Sequence, residues 1–365
     1  MTKARATGVL ARPGDTIGIL GGGQLGRMLA MAAADLGLDV HVLTPEQDSP
    51  ASRVAKRTWV APFDDRDALR EFAASVCVAT IEFENVPVDA VDLIEDEGVP
   101  VRPNGETLSR AQDRLAEKTF FREIGIEPAN FARIDHPDKI QSELTRLGGA
   151  GVLKSRFAGY DGKGQVRLKG DNIMPYPAWT EVGAKPAILE AWVEHAGEIS
   201  VIAARTAEGE FLPFDPPEND HSGGILRRSA FPASASPAVI AEAKRLTKRL
   251  ADELNYVGVL ALELFITKDG GLLANEFAPR VHNSGHWTQD ACFTGQFEQH
   301  IRAVCGWPLG DASRHSDGEM LNLLGVAAND WEKHLAEGAK LHLYGKRRAV
   351  DGRKMGHITR LKPRA

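Results

Sequence analysis

The sequence is poor in the features that would place it in several large classes of protein. Cysteine occurs three times, as Cys77, Cys292 and Cys305, with no C-x-x-C pair and no even framework. That excludes a disulfide scaffold and the common zinc and redox motifs, and it fits a reducing, cytoplasmic compartment. No run approaches the roughly 18 consecutive apolar residues of a membrane span. The N-terminal residues hold no apolar stretch before a cleavage-like site, so no secretory signal is expected. Excess positive charge is also missing. The formal net charge is −6, which argues against a nucleic-acid footprint. Internal repeats and low-complexity tracts are absent. What is there, 365 residues with 43% hydrophobic and 26% charged, suffices for two or three soluble domains with their own cores.

The most informative stretch runs from Val259 to His286. Two alternating runs flank Lys268-Asp269-Gly270-Gly271, which predicts a β-hairpin. If Thr267 pairs with Leu272, Glu263 falls opposite Glu276, their Cβ atoms about 4.5–5.5 Å apart on one face. Like charges there repel unless a cation lies between them. The neighbours Leu260, Leu262, Leu264, Leu272 and Leu273 are too apolar for an ordinary solvated face. A hard divalent cation held by two carboxylates and completed by phosphate oxygens resolves the conflict, which is a magnesium-nucleotide pattern. An exposed hairpin with lysine-paired glutamates is the alternative.

The first fourteen residues read as a loose leader. Thr16–Leu20 is expected as a buried strand. It runs into Gly21, Gly23 and Gly26, a G-x-G-x-x-G spacing that lets backbone N–H groups meet a phosphate at a helix N-terminus. The second strand ends in Thr44-Pro45 rather than in the acid that NAD requires, so a Rossmann-like domain without NAD is expected. Glu82 and Glu84 follow a strand at Val76–Ile81, where open α/β sheets bind ligands. One charged helix is expected over residues 106–124, carrying Arg114 and Lys118. Lys154 ends an apolar strand, where burial demands an anion. The glycine-rich loop after it can cover phosphates. A loop is expected at His221–Arg227, an amphipathic helix over 237–255 and a single helix over 290–305. His282 and His286 lack the H-E-x-x-H glutamate, so no zinc site is expected. The basic groups Lys346–Arg348 and Arg353–Lys354 suit a small anionic ligand.

In chain order, Lys154, the loop Gly159-Tyr160-Asp161-Gly162-Lys163-Gly164-Gln165, Glu190, Glu198, Glu263 and Asn275-Glu276 resemble the ATP-grasp ligases. The words GGQLGRM (22–28), YVGV (256–259), APRVHNSGHWT (278–288) and GRKMGH (352–357) are similar to those of the 5-(carboxyamino)imidazole ribonucleotide synthases of de novo purine synthesis. The resemblance implies an α/β and α+β architecture. A Rossmann-like domain over 15–110 precedes an ATP-grasp domain over 111–306 and a small C-terminal β domain over 307–365. It implies ATP and Mg2+, with bicarbonate as co-substrate, and carboxylation of the exocyclic amine of aminoimidazole ribonucleotide through carboxyphosphate.

The same resemblance places ATP at Arg114, Lys154, the Gly159–Gln165 loop, Glu190, Ala191, Trp192, Val193, Glu198, His221, Asn275 and Glu276, and magnesium at Glu263 and Glu276. Ribonucleotide and bicarbonate are expected at Gln24, Glu84, Tyr160, Asp161, Arg280, His282, Asn283, Lys346 and Arg353. Arg280, Lys154 and Asp161 are the expected catalytic residues, and a homodimer is the expected assembly. Rival readings are an NAD-dependent oxidoreductase, another ATP-grasp ligase such as a formate-dependent glycinamide ribonucleotide transformylase, and a catalytically dead nucleotide-binding regulator. Thr44 weighs against the first, the words around Arg280 and Arg353 against the second, and the intact carboxylates and Lys154 against the third.

Overall fold

The computed structural model describes residues 8–157 and 164–364. Among them, strands build three sheets. The first holds β1 (Thr16–Leu20), β2 (Asp39–Thr44), β3 (Arg57–Val60) and β4 (Ala79–Ile81), all parallel in the order β3-β2-β1-β4. Parallel strands buried on both faces read as apolar runs, and Ile17, Ile19 and Leu20 of β1 are fully buried. Helix α1 (Gln24–Asp35) joins β1 to β2 and α2 (Arg66–Ala73) joins β3 to β4, while α3 (Val88–Asp96) follows β4.

The glycine loop between β1 and α1 does not hold a free cradle. Glu82, just past β4, accepts hydrogen bonds from the backbone N–H groups of Gly23 (3.0 Å) and Leu25 (3.2 Å). Its carboxylate therefore occupies the helix N-terminus that a phosphate was expected to take. The fit is close: a Cβ on Gly23 would lie 2.2 Å from Glu82 Oε1. Burial pushes the Glu82 carboxyl up, and these N–H donors work against that shift. The loop is a structural clasp.

The helix expected over 106–124 is two helices, α4 (Gly105–Gln112) and α5 (Arg114–Glu123). Asp113 between them is extended and accepts from the Leu115 N–H at 3.0 Å, capping α5. Both oxygens of its carboxylate are also gripped by Arg156. The break starts a new helix whose first turns carry Arg114, Glu117 and Lys118.

The second sheet contains β5 (Phe131–Ile134), β6 (Ala150–Ser155), β7 (Gln165–Lys169) and β8 (Ala187–Ala191), in the order β5-β8-β6-β7, with α6 (Ile140–Arg146) and α7 (Pro175–Glu181). The third is larger. It contains β9 (His195–Arg205), β10 (Phe211–Pro213), β11 (Glu218–Ser222), β12 (Ile225–Phe231), β13 (Gly258–Thr267), β14 (Leu272–Ala278), β15 (Ser316–Leu324), β16 (Lys340–Leu343) and β17 (Lys354–Pro363). Helix α8 (Pro237–Glu253) packs against β9 and β13. The loop expected at His221–Arg227 is a tight β11–β12 hairpin, with Gly223 and Gly224 at its tip. The C-terminal strands do not stand apart: β15 pairs with β12 and extends this same sheet.

The helix expected over 290–305 is also split, into α9 (Thr288–Ala291) and α10 (Gln296–Cys305), the latter closed by Gly306 at φ +74. Helix α10 is the seam between the first sheet and the third. His300 accepts from the Val259 N–H at 2.9 Å, and its other ring nitrogen lies 2.7 Å from the Thr80 hydroxyl. Arg102 donates to the Ala303 and Val304 carbonyls. Leu25 and Leu29 of α1 share one core with Val259, Trp287, Ile301 and Val304. The expected leader joins this seam from residue 8 onward. Ala11 is fully buried, Leu10 donates to the Cys305 carbonyl, and the Trp307 indole donates to the Ala11 carbonyl.

The clasp yields a stability prediction. Gly23→Ala drives Glu82 off its N–H donors and should destabilise the chain by about 1–3 kcal/mol, read as a lower urea midpoint. An unchanged midpoint would show that Glu82 is not held there.

Candidate active site

The hairpin brings Glu263 directly opposite Glu276, by a different route from the one expected. The tip pairs Ile266 with Leu272, one residue out of the predicted register. A β-bulge beyond Glu263 skips Asn275 and restores the alignment. Both Asn275 and Glu276 thereby face the same cleft.

Glu263 is nearly enclosed. Burial, and then repulsion from Glu276, push its carboxyl up to about 7. For Glu276 burial also disfavours the charge, but the Arg114 guanidinium at 2.8 Å and the more distant Lys154 and Lys118 hold it well below the usual carboxylate range. The opposed pair is thus split electrically, one acid ionised against arginine and the other close to neutral. Glu263 also faces His282 Nε2 at 3.2 Å. Burial, aided by Arg280, drops His282 to about 3. Its Nδ1 lies 2.8 Å from the Ser284 hydroxyl. The ring is uncharged, so among the described residues the charges that favour the Glu263 carboxylate are those of His221 and Lys354 at longer range.

The cleft floor comes from α5 and the second sheet. Lys154, expected to meet an anion, donates to Glu190 Oε2 at 2.9 Å. Burial lowers Lys154, with Arg114 and Lys118 adding to that effect and Glu190 opposing it. Glu190 stays below the usual range because Lys118 and Lys154 outweigh its own burial. Beside them, Glu117 accepts from the Phe277 N–H at 2.7 Å and is pushed up to about 7, mainly by burial.

Between the second and third sheets lies an open cleft of about 440 Å³, lined by Arg114, Lys154, Glu190, Ala191, Trp192, Val193, Glu198, His221, Asn275, Glu276 and Gln165. Almost the whole expected ATP set is therefore brought together, with Glu263 on the same wall. Glu198 is held by His221 Nδ1 at 2.7 Å, and Arg167 lies over the Trp192 ring. Gln165 opens β7 directly after Gly164, whereas Gly159, Tyr160, Asp161, Gly162 and Lys163 lie outside the described residues.

The residues expected to meet the ribonucleotide form a second group beyond the hairpin. Arg280 is ion-paired to Glu84, which ties the hairpin's end to the first sheet, while Gln24 opens α1 next to Gly23. Asn283 is committed elsewhere: its amide exchanges two hydrogen bonds, 2.9 and 2.7 Å, with Asn322 of β15. Lys346 donates to the Lys354 carbonyl, and Arg353 is exposed. Lys354, not singled out from the sequence, acts electrostatically on Glu263, His282 and His286. Asp290, His342 and His357 also bring potential ligand atoms within 4.8 Å. The two imidazoles stack at 14°, so their in-plane lone pairs run side by side rather than converging on an ion. This group pins β16 to α9.

This geometry has relatives. The chain matches the ATP-grasp domain over residues 119–297, the ribonucleotide synthetase preATP-grasp domain over 15–112 and the phosphoribosylaminoimidazole carboxylase C-terminal domain over 319–365. It is 52% identical to N5-carboxyaminoimidazole ribonucleotide synthase of Brucella melitensis, over 97% of this chain and 98% of that one. The chain belongs to the N5-carboxyaminoimidazole ribonucleotide synthase family. A Staphylococcus aureus member crystallised with ADP superposes with a TM-score of 0.91 at 33% identity, covering 98% of this chain and 95% of that one. An Aspergillus clavatus member in complex with ADP and 5-aminoimidazole ribonucleotide gives 0.87 at 30% identity, covering 96% and 94%. The two names for the family describe the same carboxylated amine. This chain is an ATP-grasp ligase.

Sequence reading missed Glu117, whose signal was only an acid one helical turn from Arg114. Its raised carboxyl gives a signed prediction. The fold favours the protonated acid, a stabilisation that is full below the unfolded value near 4.5 and lost as pH rises through about 7. Glu117→Gln keeps the acceptor for Phe277, so it should raise the melting temperature by a few degrees at pH 8 and hardly at all at pH 5. Equal shifts at both pH values would contradict this.

Proposed function

We propose that the chain joins bicarbonate to the exocyclic amine of 5-aminoimidazole ribonucleotide at the expense of ATP, with the cleft between the second and third sheets as its nucleotide site. The observation that carries the site assignment is the opposed Glu263–Glu276 pair, set among Arg114, Lys154 and Glu190 in one cleft. Family membership supports the reaction. Bicarbonate oxygen attacks the γ-phosphorus, the β–γ bridging bond breaks, and ADP leaves with its electrons. The amine then takes the carboxyl carbon, directly or as carbon dioxide, phosphate departs, and the amine gives up a proton.

The residues fit a divalent cation. Two facing carboxylates lie beside Asn275, and one of them is pushed up by burial and by the charge of the other, a repulsion that a cation between them would relieve. Glu263 and Glu276 would hold magnesium, which when bound neutralises charge across the phosphate oxygens. Arg114 and Lys154 offset phosphate charge from the floor, and Arg280 does so where carboxyphosphate forms. That intermediate is labile, so the site has to exclude water while it lasts. Lys346 and Arg353 take the ribonucleotide phosphate. A cytoplasmic homodimer completes the reading, in keeping with three free thiols. No helix among the described residues is long and apolar enough to cross a membrane.

The direct assay is ADP release with ATP, bicarbonate and aminoimidazole ribonucleotide, each omitted in turn; release that ignores the ribonucleotide would refute the reaction. Glu276→Gln should abolish turnover in a folded chain, and near-normal activity at ordinary magnesium would remove the metal assignment. Arg353→Ala should raise the KM for ribonucleotide by about 10- to 150-fold, the worth of a charged hydrogen bond, and leave that for ATP unchanged. A parallel rise for both substrates would place the phosphate elsewhere.

A further inference from the structure

Behind the wall of the nucleotide cleft, among the described residues, lies a cation that no hydrogen bond accounts for. Lys118 follows Arg114 by one turn of α5 and therefore shares its face. The side chain is fully buried, and its Nζ has no hydrogen-bond partner among the described residues. The Glu190 carboxylate is close, but its Oε2 lies 3.9 Å away and is already held by Lys154. Glu190 Oε1 also lacks a partner. Glu117 does not fill the gap, because its Oε1 is turned to the Phe277 N–H and its carboxyl is pushed toward neutrality. Arg114 is engaged by Glu276, and the ring of Phe121 is 5.9 Å off, too far to stand in for a hydrogen bond. A buried ammonium with unused donors is a costly arrangement for a fold to keep.

The cost is explained if the ion pairs exchange when nucleotide enters. Lys154 lines the cleft, whereas Lys118 stands behind Glu190 and does not. Under the function proposed above, on which this inference rests, Lys154 turns from Glu190 to a phosphate. Glu190 would then be left buried without its hydrogen-bonded cation. A shift of about 1 Å brings the Lys118 ammonium into hydrogen-bond range of the same oxygen. We propose that Lys118 is a positioning residue that takes over Glu190 when Lys154 moves to ATP, so that the network changes partners instead of losing one. It touches no substrate. Its effect is to free Lys154 and keep the Glu190 carboxylate fixed at the cleft wall.

The test is Lys118→Met, which keeps the length of the side chain and removes its charge. Without the substitute cation, Lys154 stays with Glu190. The KM for ATP should rise about 10- to 100-fold, the loss expected for a charge-assisted hydrogen bond, with kcat falling less and the KM for ribonucleotide near wild type. The apo melting temperature should change little, since the desolvation cost of the ammonium and its attraction for Glu190 are removed together. The decisive comparison is a double-mutant cycle: in a Glu190→Gln background, where no charge needs holding, Lys118→Met should change the KM for ATP by less than about threefold. An ATP KM near wild type in the single variant, or an equal loss in both backgrounds, overturns the proposal. Should the methionine variant fail to fold, Lys118→Gln, a donor without charge, should give an intermediate KM, and a wild-type value there overturns the proposal equally. A wild-type chain that does not turn over ATP would instead fail the functional reading itself.

Discussion

Two carboxylates face one another across a buried hairpin, and much of the cleft is arranged around that repulsion. Glu276 is stabilised by Arg114, which comes from the first turn of α5, a helix that starts there because Asp113 breaks the chain direction and is locked by Arg156. Glu263 meets the neutral His282 imidazole, with His221 and Lys354 acting at longer range, while burial and the facing Glu276 keep its carboxyl high. The same pattern recurs on the floor, where Lys154 is paired with Glu190 and Lys118 waits behind. Without nucleotide, Arg114, Lys154 and Glu276 are each engaged by another side chain, and the charge of Glu263 is suppressed. Binding is then an exchange of partners, and the cleft need not hold bare charge in either state.

Such an exchange demands rigid walls. The seam at α10 supplies one, through His300 bonded to both β4's Thr80 and β13's Val259. The continuation of the third sheet into β15–β17 supplies another, fixing Lys346 and Lys354 relative to the hairpin. Glu82 fixes the third by filling the turn before α1, which leaves its neighbour Glu84 turned to Arg280.

What could be read from the sequence depended on whether the signal was local. Alternation around a short loop sufficed to oppose Glu263 and Glu276. The predicted tip register was one residue out, and a bulge at Asn275 compensated, since no residue type announces a bulge. The split at Asp113 was hidden because aspartate is tolerated within a helix, and its partner Arg156 lies 43 positions away. The glycine spacing before α1 reads the same whether phosphate or Glu82 fills it. Lys118 looked like one more charge on a charged helix, and only packing reveals that it faces inward with its donors free. The joining of β15 to β12 is a pairing across some ninety residues, with no local signature. The family words around Lys154, Glu190 and the hairpin carried the grouping of the cleft residues further than periodicity alone.

The exchange of partners is tested most directly by a crystal structure of the chain with magnesium and a non-hydrolysable ATP analogue. The account predicts Arg114 released from Glu276 and Lys154 released from Glu190, both on phosphate oxygens, with the metal against Glu263 and Glu276. A nucleotide-bound structure in which the Arg114–Glu276 and Lys154–Glu190 pairs both persist would contradict it.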